Sequence, residues 1–193
     1  MSLHPAENRG YRELYLSGRQ AAKRLDRLAS RFTDSAMHDP IAKAAESIER
    51  LLSELAPLTA RHDLHGSLAA EGTGANLGAL RAVVLDRFLE RNQAVRLAVD
   101  DLEHLATLLG YLASAGEARG DPELPEFCGS WERRLRRQAG AVRRVAKELA
   151  ATPDTAIRPL DESPAGRAAH LLAWTVGSIG EWTDRQVARR LRG

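Results

Sequence analysis

The chain has 193 residues, 44% hydrophobic and 28% charged, with a formal net charge of +2. That hydrophobic share can bury a core of ordinary domain size, and the near-balance of charge excludes an intrinsically disordered chain. Aromatics are only 5% and Ala and Leu dominate, so local propensity favours helix and argues against a sheet protein.

Five helical segments follow from the 3.6-residue periodicity of apolar positions. The first runs from about Asn8 to Phe32, with Tyr11, Leu14, Tyr15, Gly18, Ala22, Leu25, Leu28 and Phe32 on one stripe. The second is expected to start at an Asp39 cap with Pro40 in the first turn, where a missing N–H costs nothing. It carries Ile41, Ala45, Ile48, Leu52 and Leu55 and ends or kinks at Pro57, with room for one further turn to Arg61. Residues 62–75, with Gly66, Gly72 and Gly74, read as a loop.

The third segment keeps a coherent apolar face from Asn76 to Ala115, through Leu77, Leu80, Val84, Phe88, Val95, Val99, Leu102, Leu105, Leu109 and Leu112. Unbroken, it would be roughly 60 Å long, so a break near Asn92 is the alternative. A polar hinge over 116–125 leads to the fourth segment, about Glu126 to Ala151, which has the clearest pattern. Trp131, Leu135, Val142, Val145 and Leu149 share an arc of about 100°, with Arg133, Arg134, Arg137, Arg144 and Lys147 opposite. A loop over 152–162 precedes Ser163-Pro164, a cap and first-turn proline for a fifth segment reaching Leu191. This last segment is apolar on several sides between Ala168 and Trp182, as a well-buried helix would be, and Gly177 and Gly180 would admit a close neighbour.

No alternating run is long enough for a strand pair, and no repeat or composition shift marks a second domain. The expected fold is an all-α bundle of about five long amphipathic helices, mainly antiparallel, in one domain over 1–193. Cys128 stands alone, which excludes an intramolecular disulfide and a Cys-based metal cluster and suits a reducing cytoplasm. The N-terminus has no apolar core of a signal peptide, and the stretch 168–182 is too short and too mixed to span a bilayer. A soluble, cytoplasmic protein is expected.

Candidate chemistry is sparse. His62-Asp63-Leu64-His65 is the most metal-like cluster, but both it and His38-Asp39 sit at helix ends, where Asp caps and His lies near free carbonyls. A di-iron bundle needs a Glu-x-x-His motif on each of two helices; the chain offers Asp101-Leu102-Glu103-His104 once. The glycine run 72–78 opens a helix but lacks the lysine and spacing of a phosphate loop. The segment 183–191 resembles the first helix of a helix-turn-helix, with no recognition helix after it. Tyr11, Tyr15, Trp131, Trp174 and Trp182 could line a pocket, although at helical spacing such residues are usually core.

No catalytic residue, metal or cofactor is expected. The first functional reading is a non-catalytic bundle acting through protein–protein contact, with a second copy of itself as one candidate partner (a homodimer). The alternative is nucleic-acid or polyanion binding through the arginine-rich segment 126–151. There Arg133, Arg134, Arg136, Arg137, Arg143, Arg144 and Lys147 outnumber Glu132 and Glu148, and Arg185, Arg189, Arg190 and Arg192 follow near the C-terminus. Such a face is equally expected of a solvated helix paired with Asp100, Asp101 and Glu103. Arginine in place of lysine is also what a GC-rich genome writes. A third reading is a metal-dependent or small-molecule enzyme near His62 and His65.

Overall fold

The computed structural model describes residues 3–64, 89–168 and 171. Four long helices pack around one apolar core: α1 (Pro5–Ala29), α2 (Ser35–Ala60), α3 (Arg91–Arg119) and α4 (Glu123–Ala150), with a single turn, α5 (Pro153–Ala156), after them. Among the described residues no strand forms; Glu90 and Pro159 make one isolated antiparallel bridge. The all-α bundle expected from periodicity is the fold observed. Its core is the expected stripes: Tyr11, Leu14 and Leu25 from α1, Ile41 and Ile48 from α2, Leu102, Leu105 and Leu109 from α3, and Trp131, Leu135 and Val142 from α4 are buried.

Cross-helix contacts fix the topology. α1 runs against α2, with Tyr15 bonded to Thr59 and Gly18 against Ile48 and Leu52. It also runs against α3, where Glu7 meets Arg119, Gly10 meets Leu112 and Arg24 meets Asp101. α4 is antiparallel to both α3 and α2, since Gly116 abuts Pro125, Glu103 pairs with Arg143, and Glu54 accepts from Trp131. The order is up-down-down-up, so the connection from α2 to α3 begins and ends at opposite ends of the bundle. At Gly10 a Cβ would lie 2.9 Å from Leu112 Cδ2, so that glycine sets how closely α1 and α3 approach.

Several boundaries differ from the periodicity reading. α1 begins at Pro5, because His4 caps it: Ala6 N donates to His4 Nδ1, and His4 N donates to Glu7 Oε2. α2 is capped by Asp34, which accepts from Ala36 N at 3.0 Å, and not by Asp39, whose carboxylate meets His38 Nδ1. Pro40 therefore lies inside α2, where the carbonyl it leaves without a helical donor belongs to the exposed Ala36 and can meet water. α2 does run past Pro57 to Ala60.

The third segment is not continuous from 76. Glu90 is extended (ψ 156°), and α3 starts after it. The cause is the strand-like strap 158–160: Arg91 N donates to Arg158 O and Leu160 N to Leu89 O, while Asn92 Nδ2 donates to Ala156 O. These bonds occupy backbone groups that a through-running helix would need. Residues 65–88, with the glycine run, lie outside the described residues. α4 starts three residues earlier than expected, at Glu123, because Asp121 Oδ1 accepts from both Glu123 N and Leu124 N. Pro125 then falls in the first turn, where no N–H is missed. Ser163 caps a further helical stretch at 164–168, accepting from Gly166 N, as Ser163-Pro164 predicts. Leu171 is 62% exposed, and the rest of the apolar stretch 168–182 lies outside the described residues.

The fold predicts that Trp131→Ala and Leu135→Ala, 3% and 0% exposed, each cost about 2–5 kcal/mol as large-to-small core changes. Chemical denaturation measures this, and wild-type midpoints in both variants would mean that the wrong face of α4 has been taken as core.

Candidate functional site

Two polar constellations stand out, one buried at the end of the bundle and one exposed along α4. The buried one gathers at the start of α1, the end of α3 and the start of α4. Gly120, in a left-handed conformation (φ 75°), ends α3 with its N–H bonded to Glu117 O, while Asp121 N reaches back to Gly116 O. This tight turn sets Arg119 beside Asp121, with Nη2 donating to Asp121 Oδ2 at 2.9 Å. The same guanidinium lies 3.1 Å from Oε2 of Glu7, which is only 2% exposed. His62 Nε2 approaches Asp121 Oδ2 at 3.9 Å. Burial acts to raise the Asp121 carboxyl, but bonds from Leu124 N and Glu123 N and the Arg119 charge outweigh it and hold the group below its ordinary value.

Just inside this ring, Tyr11 Oη lies 3.7 Å from Cys128 Sγ and Tyr15 Oη bonds Thr59 Oγ1 at 2.8 Å. Burial pushes the Cys128 thiol up to about 11 and raises the Tyr11 and Tyr15 phenols. Cys128 is thus a protonated core thiol rather than a nucleophile at neutral pH. The polar groups of this end are matched to one another, so their chemistry goes into holding the helices in register.

The exposed constellation is the outer face of α4. Placed at 100° per residue, Arg133, Arg137, Arg144 and Lys147 fall within about 80° of arc, centred opposite Trp131, Leu135 and Val142. Their span is roughly 21 Å along the axis. All four are exposed, and among the described residues none has a carboxylate partner. Gly140 lies in the middle of the line, and a Cβ there would meet nothing within 4 Å. The other basic residues of the helix are engaged. Arg134 stacks 4.6 Å over the Trp131 ring, whose Nε1 donates to Glu54. Arg136 bonds Glu132 through Nε and Nη2, and Arg143 bonds Glu103 at 2.9 Å. The expected pairing with α3 carboxylates therefore occurs on one flank, through Glu103, and leaves the outward line untouched.

The remaining sequence candidates are dispersed. Asp101 and His104 both reach outward to α1, to Arg24 and Glu13 respectively, while the middle of the bundle is filled by Tyr15, Ile48, Leu105, Leu109 and Leu135. His62 joins the Asp121 ring, and His65 lies outside the described residues. Among the described residues no three His, Cys, Asp or Glu side chains converge as metal ligands, and no helix is long and apolar enough to cross a membrane. Tyr11, Tyr15 and Trp131 are core; Trp174, Trp182 and the arginines from Arg185 onward lie outside the described residues. Between α2 and α4 an open groove of about 450 Å³ is lined by Glu54, Leu58, Glu123, Glu126, Phe127 and Ser130. No protein-family model, curated protein or solved structure matches the chain.

The depressed Asp121 carboxyl predicts an acid-dependent effect. Asn at 121 keeps the capping oxygen but loses the charge. A lowered folded-state pKa stabilises above the unfolded value, about 3.9, and that stability is lost as pH falls through the folded value. The Tm difference between wild type and Asp121→Asn should be full at neutral pH and close in strong acid. A difference that does not change with pH would show that the carboxylate charge contributes nothing.

Proposed function

We propose that this protein is a binding module, and that its working surface is the outward line of α4 engaging a polyanion. The observation that carries this reading is the set of four exposed cations, Arg133, Arg137, Arg144 and Lys147, with no carboxylate partner among the described residues. A cation already bonded to a neighbouring carboxylate gains little from a phosphate, because one partner is exchanged for another. An unpaired cation gains the whole contact and frees the phosphate's condensed counterions. Four such groups on one rigid helix act together, since their relative positions are fixed before binding. Arg136 and Arg143, tied to Glu132 and Glu103, are a flank rather than part of the track. The saturated end cluster and the protonated Cys128 favour binding over catalysis, and the lone thiol fits a cytoplasmic setting.

A second reading, contact with another protein or a second copy of this chain, draws on a different surface. Leu58 and Phe127 line the α2–α4 groove, and Leu97, Tyr111 and Ile157 are large apolar side chains 38%, 51% and 51% exposed. Among the described residues these side chains are spread over α2, α3, α4 and the end of α5, which places this reading second.

The two separate in one comparison. Arg137→Glu with Arg144→Glu should weaken binding to heparin and to nucleic acid by at least about thirtyfold at moderate salt, since each reversal removes one phosphate contact and adds a repulsion. The Tm should stay within a degree or two, both sites being exposed. Retained affinity in this variant would reject the α4 line. Wild-type protein that ignores both polyanions and runs as a dimer by light scattering would move the protein-contact reading to first place.

A further inference from the structure

We infer that the polyanion is a double-stranded nucleic acid, gripped along its phosphates without reading of bases; this rests on the polyanion reading of the α4 line. The first argument is mechanical. The line is straight and roughly 21 Å long, carried on a helix whose opposite face is locked into the core. A duplex is also a stiff rod and presents about one charge per 1.7 Å of axis, so roughly twelve phosphates pass the line. Two rigid, linear partners meet with little loss of conformational freedom, whereas a flexible single strand must be straightened to follow the same track.

Surface chemistry supplies the second argument. Proteins that hold single strands add aromatic platforms on which bases stack. Of the α4 aromatics, Trp131 is 3% exposed, covered by Arg134 and bonded to Glu54, and Phe127 is half-buried beside it on the groove side. The outward line itself reads Arg133, Arg137, Gly140, Arg144 and Lys147, with Ser130 and the exposed Glu148 along one edge. It offers no aromatic ring for a base and no large apolar side chain to enter a membrane, which an amphipathic helix needs for interfacial binding.

Boundaries give the third. Glu126 lies about 20° from the Arg133 direction, two turns toward the N-terminus, and with Glu123 it repels phosphate and ends the track there. On the α3 side, Glu103 and Glu132 hold Arg136 and Arg143 and oppose wrapping. The contact is therefore one-sided, about six base pairs long at 3.4 Å per pair, and in the range of non-specific binding, about 10⁻⁴–10⁻⁶ M. Contacts of this kind require charge rather than guanidinium geometry.

The test is anisotropy titration of the full chain with two duplex DNAs of unrelated sequence, about 20 base pairs each, a single strand of equal length, and vesicles containing phosphatidylserine. The inference expects equal affinity for the two duplexes within about twofold, and at least about tenfold weaker binding to the single strand. Arg137→Lys with Arg144→Lys should keep duplex affinity within about threefold. Equal or tighter binding to the single strand, or binding to vesicles alone, would overturn the duplex while leaving polyanion binding standing. A preference of about tenfold for one duplex over the other would overturn the phosphate-only contact. Failure of every probe, heparin included, would overturn the polyanion reading itself.

Discussion

Burial of one side of α4 is the constraint on which the other features turn. Trp131, Leu135, Val142, Val145 and Leu149 close the core against α2 and α3, and at 3.6 residues per turn their burial dictates what faces away. Charged side chains on the two flanks are engaged: Arg143 reaches Glu103 on α3, Arg136 bonds Glu132 on α4 itself, and Arg134 stacks on Trp131. Those pointing outward are exposed and have no carboxylate partner among the described residues. Core, engaged flanks and an exposed crest of Arg133, Arg137, Arg144 and Lys147 thus follow one another around a single helix.

The end of the bundle fixes the register in which α4 presents that crest. Arg119 bridges Glu7 and Asp121, and Asp121 in turn caps α4. Leaving one member of such a buried pair without its partner costs about 3–5 kcal/mol, so sliding α4 along α3 is resisted at its first turn. Glu7 also closes the capping box of α1, which ties three helix ends to one guanidinium. Among the described residues the middle of the bundle interior is apolar, and its polar chemistry lies at one end and on the outside.

The apolar stripes were legible in the sequence because the helical period brings residues three and four apart together, and nothing remote is needed to recognise them. Ser163 and the run past Pro57 were legible for the same local reason. What could not be read depended on partners distant in sequence. Glu7 and Arg119 are 112 residues apart, and nothing local distinguishes either from a solvated surface charge. A break near Asn92 was one of two readings, suggested by the length of the segment; its place at Glu90 is fixed by the remote strap 158–160. The cap of α2 lies at Asp34, five residues before the expected Asp39, because the helix tolerates Pro40 beside an exposed carbonyl. On α4 the sequence marked the basic residues but could not sort free from paired, because the carboxylates that divide them sit on α2 and α3 as well as on α4 itself. Arg134, grouped with the outward residues by count, is turned onto Trp131.

The most direct test of the outward line is a census of salt slopes. Duplex-DNA binding is measured across a range of salt for wild type and for single alanine replacements at Arg133, Arg137, Arg144, Lys147, Arg136 and Arg143. Each of the first four should lower the slope of log K against log salt by about 0.9, and the last two should lower it by much less, since their charges are already neutralised within the protein. Equal losses at all six positions, or none at the first four, would contradict the account.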